Sequence, residues 1–225
     1  MKSEADSTQI SLNWFQIWRI AFLHPTIKTF STIANNPKAN IQWGVIWIAL
    51  TSIINWLIGP LSATISGLAW DFFGRSFYFF LIAGAIVSPI LGVVFLLIYA
   101  AISHGIARLF KGGGTFQQLV LCWAVIQLPF VLFAGLVLRL PSLLSPSREF
   151  TFSSIGLIIQ VATMLIALGI YLYLFYVQVV AFSAIENFGI GKGFGILILQ
   201  AIVIGVAGGC LSFVFQAALT NLFRY

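Results

Sequence analysis

The chain has 225 residues, 60% of them hydrophobic and 7% charged, with a mean hydropathy of +1.06. Soluble domains carry roughly a quarter charged residues, so a water-facing surface cannot be covered here and a water-soluble globule is excluded. The formal charge of +6 comes from scattered basic residues, which speaks against nucleic acid as a partner and for lipid headgroups and topology signals.

In chain order, residues 1–11 are polar and hold no apolar core of a cleavable signal peptide, so none is expected. In residues 9–23, Leu12, Phe15, Trp18 and Phe22 recur at helical spacing with Asn13, Gln16 and Arg19 between them. This is too polar to span and too apolar for a free tail; it predicts an amphipathic helix in the headgroup layer, the alternative being a helix packed on the loops. His24–Pro25 ends it, because a residue before proline avoids the α region. A second short element, 26–35, carries Ile27, Phe30 and Ile33 with Lys28, and Asn36–Pro37 reads as an N-cap followed by proline at the first helical position.

Five apolar stretches follow, at about 41–61, 77–102, 117–138, 154–185 and 194–218. Each is long enough for a bilayer that needs about 20 residues. The first opens with Trp43 and Trp47, suited to an interfacial aromatic belt, and closes on Gly59–Pro60. Ser88–Pro89 should kink the second, and Pro129 lies inside the third. The fourth exceeds what a bilayer needs, so it tilts or protrudes. The fold class is therefore all-α: a polytopic membrane bundle of five transmembrane helices (41–225), preceded by an amphipathic, interfacial N-terminal segment (1–40). Of eleven basic residues, seven fall on the side of the N-terminus (Lys2, Arg19, Lys28, Lys38, Arg108, Lys111, Lys192) and four on the other (Arg75, Arg139, Arg148, Arg224). That predicts the N-terminus in the cytoplasm and the C-terminus outside.

In lipid, small residues and side-chain hydrogen bonds draw helices together. The fifth span carries Ala201, Gly205, Gly208, Gly209, Ser212 and Gln216, with a GxxxG at Gly205–Gly209 that permits a homodimer. The second carries Gly84, Ser88, Gly92, Phe95, Tyr99 and Ser103; the first, Thr51, Asn55 and Gly59. These stripes read as close packing or as a polar path lined by Asn55, Tyr99, Gln160, Tyr171, Gln178 and Gln216. No ionisable residue lies in any predicted span, which counts against a proton- or sodium-driven pump. Glu186, at the end of the fourth span, is expected to face water.

Catalytic and cofactor chemistry finds no foothold. His24 and His104 are isolated, Cys122 and Cys210 read as buried thiols, and no pair of aspartates lies in the spans. The run KGGGT at 111–115 lacks the leading glycine and the Lys-Ser/Thr ending of a phosphate loop. Its structural reading has Gly112, Gly113 and Gly114 at positive φ ending one helix, Thr115 capping the next, and Arg108 and Lys111 facing headgroups or a partner.

At this turn a resemblance enters. Residues 102–129, ISHGIARLFKGGGTFQQLVLCWAVIQLP, resemble the Yip-domain family of five-span membrane proteins, named for interaction with Rab-type GTPases. Arg108, Gly112–Gly114, Thr115–Phe116 and Pro129 carry the pattern, and Pro25, Phe30, Ile33 and Pro37 look like bacterial members. The Asp-Leu-Tyr-Gly-Pro motif of eukaryotic members is only echoed by Ile58–Gly59–Pro60, and Ala124–Val125 replace a small-plus-aromatic pair, which speaks against a Rab-type partner. The resemblance implies a prokaryotic member in the cytoplasmic or an internal membrane. It implies a non-enzymatic role, organising membrane or binding other membrane proteins, with no cofactor. A small transporter or channel is the alternative, with no solute named.

Overall fold

The computed structural model describes residues 12–36, 40–65, 76–127, 137 and 154–222. They form α1 (Trp14–Leu23), α2 (Ile27–Ala34), α3 (Ile41–Ile65), α4 (Ser76–Leu109), α5 (Phe116–Gln127), α6 (Ser154–Glu186) and α7 (Ile190–Leu222), with no strand among the described residues. Among the described residues, four helices are long and apolar enough to cross a membrane: Ile41–Ile58, Tyr78–Leu109, Ile155–Glu186 and Ile190–Cys210. Of the expected span at 117–138, α5 is described to Gln127; the rest, with Pro129, lies outside the described residues, Val137 aside.

Several boundaries move. The second span does not stop at 102: α4 runs on through His104 and Arg108, and Pro89 sits inside it. α6 includes Glu186, and α7 starts at Ile190 so that Lys192 lies within it. Apolar composition marks where lipid ends, whereas backbone hydrogen bonding carries each helix further, to its cap. Likewise α3 is capped by Asn40, whose side chain accepts from the Trp43 N–H (3.1 Å), and not by Asn36.

The bundle has two zones. Along α6, Leu157, Ile158, Val161, Met164, Leu165, Ile166, Leu168 and Leu172 are exposed, while every residue from 179 to 186 is buried. A helix of α6's length is about 50 Å long against a hydrocarbon core of about 30 Å. The exposed apolar half fits a hydrocarbon core; the protein-covered half ends at Glu186, at the bundle end that also carries His104 and Arg108 of α4 and Lys192 of α7.

α1 and α2 supply part of that cover. They form a helical hairpin turned at His24–Pro25–Thr26. Asn13 and Gln16 make a reciprocal cap on α1 (2.8 and 3.0 Å), and Thr26 caps α2. The buried Asn36 side chain donates to the Leu12 carbonyl (3.2 Å), tying the open ends of the hairpin together. Ile17, Ala21, Phe30 and Ile33 are buried against the bundle. Trp14 and Trp18 pack on Trp43 and Trp47 with ring centroids 5.3–5.8 Å apart. The Tyr173 hydroxyl donates to the Phe22 carbonyl. The segment expected to lie in the headgroup layer is part of the packed core on one face, while Phe15 (73% exposed), Arg19 and Leu23 remain open on the other.

α3 and α4 approach each other closely at two glycines. A Cβ on Gly92 would overlap the Ser52 hydroxyl, and one on Gly84 would overlap the Trp56 ring.

Candidate functional site

The turn at 110–115 is built from two helix ends that face each other. At the end of α4, the Gly112 N–H reaches the Ala107 carbonyl (2.8 Å) and the Lys111 N–H the Arg108 carbonyl (3.1 Å), with Lys111 left-handed at φ 62. This is a Schellman cap. α6 ends the same way: Asn187 sits at φ 56 and the Phe188 N–H reaches the Ser183 carbonyl (2.9 Å).

Positive φ was expected at Gly112, Gly113 and Gly114; it falls on Lys111, and none of the three glycines takes it. The glycines are needed for room instead. A Cβ on Gly112 would overlap the Glu186 carboxylate, and one on Gly114 would lie 2.6 Å from Ile185 Cγ2 and 2.9 Å from the Ile185 carbonyl.

What fills that room is Glu186. It was expected to face water, but it is 1% exposed. Oε2 accepts from the Gly114 N–H (3.0 Å), and the Glu186 backbone carbonyl accepts from the Gly113 N–H (3.2 Å). A carboxylate at the C-termini of α4 and α6 meets the wrong end of both helix dipoles. Two features offset this: the start of α5 immediately beyond Gly114, and the guanidinium of Arg108 next to the turn. Arg108 Nη1 and Nη2 donate to the carbonyls of Gly112 (3.4 Å) and Gly114 (3.1 Å). Its Nε donates to His104 Nε2 (3.3 Å). Arginine has no acceptor atom, so His104 Nε2 is the acceptor in this contact. Nδ1 faces Glu186 Oε1 at 3.6 Å, and neither atom has a hydrogen-bond partner among the described residues.

The same layer continues outward. Thr115 and Gln118 form a reciprocal cap on α5 (3.3 and 3.0 Å), and Gln118 Nε2 also reaches the Ala34 carbonyl (3.5 Å) and Asn35 (3.4 Å) on the hairpin. Lys192 donates to the Phe110 carbonyl (2.7 Å) and lies 4.3 Å from the Phe188 ring centroid. The α4–α5 turn, the α6–α7 turn and the hairpin thus meet at one end of the bundle, with Arg108 and Lys111 exposed at its rim. Chemically the arrangement is a clasp: a buried carboxylate orders two turns.

The polar residues expected along one path are not brought together. Asn55 and Tyr99 line a cavity of about 320 Å³. Gln160 and Tyr171 lie on the exposed side of α6, Gln178 is half-buried, and the Gln216 side chain lies outside the described residues. Gly205 and Gly209 have open space where a Cβ would stand. Sequence reasoning left His104 and Glu186 out of the site. The readable signal was His104 and Arg108 four apart on one helix, opposite a lone carboxylate ending an apolar run.

A family model described as Yip1 domain matches residues 20–212. No curated protein and no solved structure matches the chain.

Proposed function

The chain belongs to the Yip1-domain family, and from that premise we propose that it works without catalysis, as an integral membrane scaffold or adaptor that binds other membrane proteins and organises the bilayer around them. The observation that carries this reading is the composition of one bundle end. The docked hairpin presents Phe15, Leu23 and Ile27 together with Arg19 and Lys28, all exposed, and its open end at Ala34–Asn35 meets Gln118 at the bundle end where Arg108 and Lys111 are exposed. Apolar side chains interleaved with cations suit a surface that meets anionic headgroups and a membrane-bound partner at once. The proposal places this end in the cytoplasm, with the C-terminus outside, in the cytoplasmic or an internal membrane of a prokaryote.

The test is a pair of substitutions on the open face, Phe15→Glu with Leu23→Glu, which leaves Ile17, Ala21 and the Trp cluster in place. The reading expects loss of partner recovery and of the deletion phenotype's rescue while the protein stays inserted at normal level. Full rescue by the double variant would sink it. The second reading, a small transporter or channel, has the cavity at Asn55 and Tyr99 in its favour. Solute flux in proteoliposomes, abolished by Asn55→Leu, would establish it; no flux across ions and small solutes would retire it.

A further inference from the structure

The cavity between α3 and α4 has a chemistry of its own. Ile48, Phe95, Leu96, Ile98, Ile102 and Ile204 form its apolar wall, and Thr51, Ser52, Asn55, Tyr99 and Gln127 its polar part. Its depth follows from helix rise. Asn55 lies fourteen residues from the start of α3, Tyr99 ten from the end of α4, Gln127 eleven from the start of α5 and Ile204 fourteen from the start of α7. At 1.5 Å per residue all four give about 15–21 Å below the clasp end. That is where the protein-covered zone gives way to the exposed apolar one, at the upper edge of the hydrocarbon. Asn55, Phe95 and Ile98 are exposed, so the cavity opens sideways to lipid.

Its polar groups are unequal. Thr51 is satisfied within its own helix, donating to the Trp47 carbonyl at 2.7 Å. Among the described residues, the side chains of Ser52, Asn55 and Gln127 make no hydrogen bond. An amide left bare beside hydrocarbon is costly, so these groups call for a partner that lipid tails cannot provide. No charged residue lines the cavity, so a charged ligand group would be left there uncompensated.

We propose that this cavity binds a neutral amphiphile from the bilayer, a lipid-like alcohol. Its hydroxyl is held between Asn55, Ser52 and Gln127, and its chain lies along Phe95, Ile98 and Ile204. The two primary amides and the Ser52 hydroxyl offer donors and acceptors together, which matches a hydroxyl that does both. Gly92 sets the floor, because any Cβ there would collide with Ser52. The site is independent of the partner-binding reading, since it faces lipid on the flank of the bundle rather than the clasp end.

The experiment uses the full chain in liposomes with a photoreactive long-chain alcohol, and adducts are mapped by mass spectrometry. Saturable labelling of residues 48–55 and 95–102 is expected, competed by unlabelled alcohol and not by its phosphate ester. Asn55→Leu with Gln127→Leu should lower it roughly tenfold through two lost hydrogen bonds. Ile204→Phe, which fills the volume while keeping the polar groups, should lower it as well. Labelling that is unsaturable along all lipid-facing helices would overturn the proposal, as would equal competition by the phosphate. So would fast reaction of Ser52→Cys with a membrane-impermeant thiol reagent, because an aqueous cavity would then replace a lipid site.

Discussion

Three adjacent glycines offer a graded perturbation, because the structure assigns each a different obstacle to a methyl group. At Gly114 a Cβ meets Ile185 Cγ2 at 2.6 Å, the Ile185 carbonyl at 2.9 Å and the Glu186 carboxyl carbon at 3.0 Å. The backbone carbonyl cannot rotate away, so Gly114→Ala must push the turn off α6. Overpacking of this kind costs about 1–3 kcal/mol. The same shift stretches the Gly114 N–H bond to a buried carboxylate, worth about 1.5–3 kcal/mol more. A total of about 3 kcal/mol or above is expected. At Gly112 the Cβ overlaps the Glu186 carboxylate and lies 3.1 Å from both Ala107 Cβ and the Ala107 carbonyl. The carboxylate is the end of a side chain, so Gly112→Ala should cost about 2 kcal/mol. At Gly113 the nearest atom is Asn187 Nδ2 at 3.2 Å, on an exposed residue that can swing aside, and Gly113→Ala should cost about 1 kcal/mol or less. Thermal aggregation midpoints of the three variants in detergent, read by size-exclusion chromatography, should fall in the order Gly113→Ala, Gly112→Ala, Gly114→Ala, from mildest to worst. If Gly113→Ala proves as damaging as Gly114→Ala, the glycines serve backbone freedom rather than room for Glu186, and the clasp is wrong.

Other outcomes follow from the same contacts. Glu186→Leu leaves the Gly114 N–H buried without an acceptor and should destabilise by about 2 kcal/mol, while Glu186→Gln keeps an acceptor oxygen and should lose less; the same melting assay separates them. Lys111 holds a left-handed φ of 62, so Lys111→Val should lower the melting midpoint, whereas Lys111→Gly should not. Gly92→Ala should weaken α3–α4 packing, and the added Ser52→Gly should restore much of the loss, a coupling that a double-mutant cycle measures. Tyr173→Phe removes the hydroxyl that holds the Phe22 carbonyl; a spin label at position 19 should then become more mobile, at a cost of about 1 kcal/mol.

The membrane class and most of the helical order were legible because they rest on long-range composition, which one sequence displays in full. The C-terminal end of α4 shows the limit. Hydropathy falls after Ile102, yet the backbone stays helical to Leu109, and those extra turns, about two of them, carry His104 and Arg108 into the site. The GGG run was recognised as a turn, but its reason was not: room for a side chain seventy-two positions away is a tertiary fact. The polar stripes misled for a related reason. In lipid, a glutamine or tyrosine at helical spacing can point outward as well as inward, and Gln160 and Tyr171 are exposed. Gly84 and Gly92 show small residues doing what their spacing suggested, while Gly205 and Gly209 stand on an open face of the chain.

The most direct trial of the account is to ask which end of the bundle meets other proteins. A photo-crosslinking residue at Phe15, on the open face of the hairpin, would be compared in native membranes with one at Leu165, on the lipid-facing stretch of α6. The account predicts discrete protein adducts from position 15, diminished when Arg19 and Lys28 are changed to Glu, and lipid adducts alone from position 165. No protein adduct at 15, or the same adducts at both positions, would contradict it.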